Sequence, residues 1–169
     1  MRDINTLSAY INKFTDKVIE NVAKAQRETA QAIWEDVVQN APSGTGEYIS
    51  SIQISPTIKE GNAIKTEVFT DLKSTDGYVI GRMIEYGTGI YALQPHIGHT
   101  KTFKESGYRY WYVPVTSVGK PIGKLITING QQFYVAKPQP SKPHFIPALQ
   151  KNEATYLQNI DKAVKEAEK

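Results

Sequence analysis

Between Leu7 and Ala32 the residues Leu7, Ile11, Phe14, Val18, Val22, Ala25, Thr29 and Ala32 recur at steps of four and three, the single stripe of an amphipathic helix. Asn5 or Thr6 can cap its start, and Pro42 pushes Ala41 out of helical geometry, so the helix must stop near Asn40. About 35 residues at 1.5 Å each make a rod of roughly 50 Å. A chain of 169 residues is one domain's worth of sequence and cannot cover such a rod along its whole length. Part of the stripe is therefore expected to pack on a neighbouring molecule.

The rest of the chain alternates short β runs with helices. Tyr48, Ile52 and Ile54, then Ile64, Val68 and Phe69, read as two β runs joined across Pro56 and a Glu60-Gly61-Asn62 turn. Residues 77–86 carry Val79, Ile80, Met83 and Ile84 at helical spacing, and Gly87-Thr88-Gly89 stops them, so a short helix is expected there. Residues 108–118 and 125–136 are rich in β-formers, and Asn129-Gly130 is a two-residue hairpin signal. Pro138, Pro140, Pro143 and Pro147 make a stiff extended stretch into a last amphipathic helix, Ala148–Lys169, marked by Leu149, Leu157, Ile160 and Val164. No repeat or linker divides this order. We read one α+β domain over residues 1–169, a small antiparallel sheet flanked by a long N-terminal and a C-terminal helix, with a β-hairpin insertion at about 96–139.

Composition removes whole classes of chemistry. With no cysteine there is no disulfide framework, thiolate metal site or cysteine nucleophile. No apolar run approaches the roughly 20 residues of a membrane span, and Met1-Arg2-Asp3 does not open like a signal peptide, so a soluble, unexported protein without membrane contact is expected. The net charge is +3, but residues 96–143 hold seven bases against one acid, Glu105, so this one segment is strongly basic and the remainder is net acidic.

Motifs for catalysis and cofactors fail on context. Gly87-Thr88-Gly89-Ile90-Tyr91-Ala92 fits the spacing of a dinucleotide loop, but a helix precedes it and Leu93-Gln94-Pro95 follows, where a strand and then a helix are needed. Residues 119–125 resemble a phosphate loop one residue short, with Leu125 in place of the magnesium-binding hydroxyl. His96, His99 and His144 are the three histidines, and Glu105 is the one nearby carboxylate, so they read as loop histidines and not as a metal site. Asp71, Asp76 and Glu85 read as turn, cap and surface groups. No catalytic residue, cofactor or metal is expected.

The basic segment interleaves Phe103, Tyr108, Tyr110, Trp111, Tyr112, Phe133 and Tyr134 with its cations. Lys101, Lys104, Arg109, Trp111, Lys120 and Lys124 are the candidates for a partner- or DNA-facing surface. Aromatics between cations can stack single-stranded bases, and they equally stabilise a protruding hairpin across its strands. We prefer the hairpin and keep a nucleic-acid-binding module as the alternative function.

Three stretches in order resemble one family. Ala41-Pro42-Ser43-Gly44-Thr45-Gly46-Glu47-Tyr48-Ile49-Ser50-Ser51-Ile52, following a long helix, is similar to A-P-x-x-T-G-x-L-x-x-S-I, with Tyr48 where leucine is more usual. Tyr78-Val79-Ile80-Gly81-Arg82-Met83-Ile84-Glu85-Tyr86-Gly87-Thr88 is similar to Y-A-x-x-V-E-Y-G-T. Lys142-Pro143-His144-Phe145-Ile146-Pro147-Ala148-Leu149 is similar to P-x-P-F-x-x-P-A-L. Together they resemble the tail-component proteins of long-tailed bacteriophages, head-tail joining or tail-completion proteins of the virion neck. The resemblance covers roughly residues 5–95 and 140–169; the span 96–139 departs from it.

That resemblance implies a virion structural protein without catalysis, made in the bacterial cytoplasm. It also implies a ring, commonly sixfold, whose partners are copies of itself, the head connector and tail tube proteins, with contact to packaged DNA a further expectation. Within it Pro42, Gly46, Glu85, Gly87, Gly89, Pro143, Phe145 and Pro147 are the architectural and interface candidates: the glycines and prolines punctuate elements and re-aim the chain.

Overall fold

Small residues decide how the two long helices meet. The computed structural model describes residues 4–42, 46–61, 63–74, 77, 79–93, 111–117, 121 and 123–168. α1 (Ile4–Asn40) buries Ala25, Thr29, Ala30 and Val37, and α4 (Phe145–Ala167) buries Ala148, Ala163 and Ala167. The short side chains let the helix axes approach, and the Thr29 hydroxyl, shut off from water, donates to the Ala25 carbonyl at 2.9 Å. The pair runs antiparallel. Asn21 Nδ2 donates to the Ala163 carbonyl, Tyr156 Oη to Gln26 Oε1, and Asp36 near the far end accepts from Lys151 Nζ at 2.6 Å and Asn152 Nδ2 at 2.8 Å. These two hydrogen bonds, Lys151 first, hold the Asp36 carboxyl below the ordinary aspartate range.

The described residues divide into two compact units. The first comprises Met1–Asn40, Ile52–Phe69 and Phe145–Lys169. Its strands form one long hairpin: β1 (Ile52–Ile54) pairs with β4 (Val68–Thr70), and β2 (Ile58–Glu60) pairs antiparallel with β3 (Ala63–Lys65) beyond a gap at Pro56, which has no N–H to give to a ladder. Gly61 turns the hairpin with φ 60°, and Trp34 Nε1 donates to the Ile52 carbonyl, fixing β1 on α1.

The second unit comprises Ala41–Ser51 and Thr70–His144. It holds α2 (Gly46–Ser50), α3 (Ile80–Tyr86) and a three-stranded antiparallel sheet in the order β5 (Trp111–Pro114), β7 (Gln131–Ala136), β6 (Lys124–Ile128). Asn129 (φ 50°) and Gly130 (φ 79°) make the tight turn between β6 and β7 that their sequence predicts.

The α+β class, the long first helix and the last helix are as the sequence predicts; three details differ. α1 is already helical at Ile4, ahead of the expected caps at Asn5 and Thr6. Tyr48 lies in α2 and not in a β run; the Ser51 N–H closes the short helix onto Glu47 and Tyr48 carbonyls, both at 3.1 Å. α4 begins at Phe145, three residues ahead of Ala148, because Pro147 falls in the first turn, where its missing N–H has no intrahelical acceptor to lose.

Candidate functional site

The Pro-rich stretch before α4 is built around what proline lacks. Within residues 138–144 the non-proline residues carry the backbone hydrogen bonds: Lys142 N–H donates to the Ile84 carbonyl at 2.8 Å, Gln139 N–H donates to Thr88 Oγ1 at 2.9 Å, and the Gln139 carbonyl accepts from Thr88 N–H at 2.9 Å. Carbonyls that the end of α3 leaves without helical partners are thereby satisfied: Ile84 takes Lys142 N–H and Tyr86 takes Leu93 N–H. Gly87, next after α3, has φ 76° and ψ 177°, a backbone region essentially confined to glycine. A Cβ there would sit 2.8 Å from both Ser141 N and Tyr91 O and 3.0 Å from Gln139 O.

This clasp brings three distant side chains together. Glu85, one helical turn beyond Gly81 on α3, points inward and is 5% exposed; His144 is 1% exposed and Tyr48 is 2% exposed. Glu85 Oε2 accepts from the His144 backbone N–H at 2.8 Å and lies 3.3 Å from His144 Nδ1. His144 Nδ1 is also 2.9 Å from the Lys142 carbonyl, an acceptor, so Nδ1 carries a hydrogen. In the neutral ring Nε2 is then the acceptor, and the Tyr48 hydroxyl donates to it at 2.6 Å. The two rings meet edge to face, with centroids 5.6 Å apart. Burial first, and the Glu85 charge second, push the Tyr48 phenol up to about 12, so it keeps the proton this bond uses.

Gly81 completes the floor, since a Cβ there would lie 2.5 Å from Thr70 Cγ2 and 3.3 Å from the Tyr48 oxygen. Among the described residues no buried side-chain polar atom lacks a partner. Hydroxyl, imidazole and carboxylate stand in the order of a nucleophile relay. Yet the hydroxyl is a phenol held protonated and covered, so the arrangement fits a lock that joins three chain segments better than a reactive centre.

Glu85 is therefore not the surface group its sequence suggests, and His144 is not an exposed loop histidine but the largest fully buried side chain of the described residues. Both, with Tyr48, sit inside the three motifs, but each motif carries other polar residues as well, such as Glu47, Arg82 and Lys142, so no local signal in the sequence sets the three apart. Of the other candidates, Pro42 follows α1, Gly46 opens α2 with open space around its Cβ position, and Gly89 starts a 3-10 turn, Gly89–Tyr91. Pro143 and Pro147 are exposed on either side of His144. Phe145 lines an open groove of about 550 Å³ in the first unit, together with Ile33, Val68, Ile146, Leu149 and Tyr156.

Of the basic aromatic candidates, Lys124 is exposed at the start of β6, opposite Val135, and Trp111 begins β5. Lys101, Lys104, Arg109 and Lys120, like His96 and His99, lie outside the described residues. Among the described residues no group of three histidines or acids could hold a metal ion, and no helix is long and apolar enough to cross a membrane.

Residues 5–87, about half of the chain, match the model of the HK97-gp10-like family, described as "Bacteriophage HK97-gp10, putative tail-component". The matched span holds Tyr48, Gly81, Glu85 and Gly87; His144 comes from beyond it. Comparison with characterised proteins and with solved structures returns no match.

Proposed function

Since the chain belongs to the HK97-gp10-like family of phage tail components, we propose that this virion structural protein acts at the neck, as a ring adaptor that joins the DNA-filled head to the tail or completes the tail. The family match carries this reading. Two features of the chain support it. α1 extends past the helix it pairs with and leaves an apolar stripe uncovered, as a subunit made for head-to-tail contacts requires. The Tyr48, Glu85 and His144 lock ties three segments of the second unit together through buried polar groups.

In this reading copies of the chain, the head connector and the tail tube are the partners, and assembly takes place in the host cytoplasm. The glycines and prolines of the motifs serve architecture: Gly87 admits the extended chain around Gln139 and Ser141, and Pro143 and Pro147 frame the residue that locks it.

The test is a phage lacking the gene. DNA-filled heads and separate tails, or tails of irregular length, are the expected picture by electron microscopy. Normal virions without this protein, or heads that never fill, overturn the proposal.

A further inference from the structure

We infer that the exposed apolar stripe at the start of α1 is the ligand for the groove beside α1 and α4 on the next copy of the same chain, in a head-to-tail series; this rests on the ring reading above. Asn21 meets Ala163, so the last turn of α4 reaches only to about the level of residue 17 of α1. The first turns of α1 run on beyond it for roughly 20 Å. Along this overhang Ile4 is 81% exposed, Leu7 56%, Tyr10 64% and Ile11 52%. With Phe14 they fall within about 120° of helix surface, a continuous stripe at the i, i+3, i+7 spacing of a helix that lies in a groove.

The groove offers what such a stripe needs. Its apolar wall is Ile33, Val68, Phe145, Ile146, Leu149 and Tyr156, and its volume, about 550 Å³, suits a few large side chains. Charge matches as well: Glu153 is the one charged residue in the lining, and Lys13 is the one charged residue between Ile4 and Phe14. Stripe and groove lie on the same helix, centred near residues 9 and 30, which separates them by roughly 30 Å along α1. A subunit cannot fill its own groove with its own stripe, because one continuous helix carries both.

The size of the contact sets its strength. The stripe exposes on the order of 500 Å² of apolar surface, at the upper end of patches on monomers and below the roughly 800 Å² per partner of a standard stable interface. Free subunits should thus associate weakly and close only at high local concentration, which keeps rings from forming before their place in the virion is ready.

The experiment uses Leu7→Asp with Ile11→Asp to spoil the stripe, and Leu149→Asp to spoil the groove. All three positions are more than half exposed, so the variants keep the fold, checked by circular dichroism. In sedimentation at millimolar concentration the wild type should form species beyond a dimer, and each variant alone should associate at least tenfold more weakly. Mixed, the two variants retain one intact contact and should form one-to-one pairs that grow no further. As the chain has no cysteine, Leu7→Cys in one copy and Leu149→Cys in another should oxidise to a mixed dimer in preference to either homodimer. Larger species that neither substitution weakens overturn the stripe-in-groove contact and leave the ring reading standing. A wild type that stays monomeric, or stops at a compact twofold dimer, overturns both.

Discussion

The hydrogen bond from Tyr48 to His144 can be removed with almost no change of shape, by Tyr48→Phe. The phenyl ring keeps its edge-to-face position, and only the hydroxyl 2.6 Å from Nε2 is lost. At 1% exposure His144 then has a buried acceptor facing a ring edge, which costs about 1–3 kcal/mol. For a chain of this size that is a fall in Tm of roughly 4–8 °C at the middle of the range. A second substitution, His144→Leu, removes Nε2, orphans the Tyr48 hydroxyl and takes the Nδ1 contact from Glu85, so its own cost is larger, about 3–5 kcal/mol. In the His144→Leu background, however, Tyr48→Phe removes a hydroxyl that already has no partner, and it should be neutral or slightly stabilising. Urea unfolding of the four proteins measures the cycle, with an interaction energy of about 1–3 kcal/mol expected. Equal costs of Tyr48→Phe in both backgrounds would refute the reasoning, as the hydroxyl would then contribute nothing through the imidazole.

The same phenol predicts a pH dependence: its pKa is near 10 unfolded and about 12 folded, so between those values the unfolded chain binds fewer protons and stability falls as pH rises. Alkaline denaturation of wild type should show this loss above pH 10, and Tyr48→Phe should lack it. Asp36 acts in the opposite sense, its lowered pKa giving stability that is present at neutral pH and lost as pH falls below about 4; Asp36→Asn should flatten that limb of an acid titration followed by helix signal. Gly87→Val should cost at least about 2 kcal/mol, from a backbone region closed to β-branched residues and from three backbone atoms within 3.0 Å of the new Cβ; an unchanged melting midpoint would show the glycine to be incidental. Replacing residues 100–137 by a short flexible linker should leave α1, α3 and α4 folded, because Thr88 and Gln139 are already joined by two hydrogen bonds at the base of this span, while phage assembly should fail; loss of the helical circular dichroism signal would instead make the span part of the core.

What could be read from the sequence follows from the range over which each signal acts. α1 was legible almost to the residue because its stripe repeats through about seven turns and Pro42 ends it locally. The Asn129-Gly130 turn was legible because only a few dipeptides take positive φ at both positions. Tyr48 reads as a strand residue because aromatic and β-branched residues over a single turn look the same in a short helix as in a short strand. The lock itself was invisible for a different reason. Tyr48, Glu85 and His144 are separated by 37 and 59 positions, and alone they read as a strand, a surface and a loop residue. Only the tertiary fold turns three separate polar residues into one satisfied cluster.

The lock also gives the three motifs a common physical meaning. The first supplies Tyr48, the second Gly81, Glu85 and Gly87, and the third His144, so each motif is needed for the other two to bury their polar atoms without loss. A half-formed cluster is worse than none, since removing any member takes a hydrogen-bond partner from a buried charge, donor or acceptor. Such a cluster tolerates elaboration only where the chain leaves and re-enters it, and that place is the clasp between Thr88 and Gln139. The family match ends at Gly87, one residue before the clasp, and the basic aromatic segment follows it. The segment between residues 88 and 139 thus lies outside the hydrogen bonds of the lock itself, a placement that suits the adaptor role proposed above.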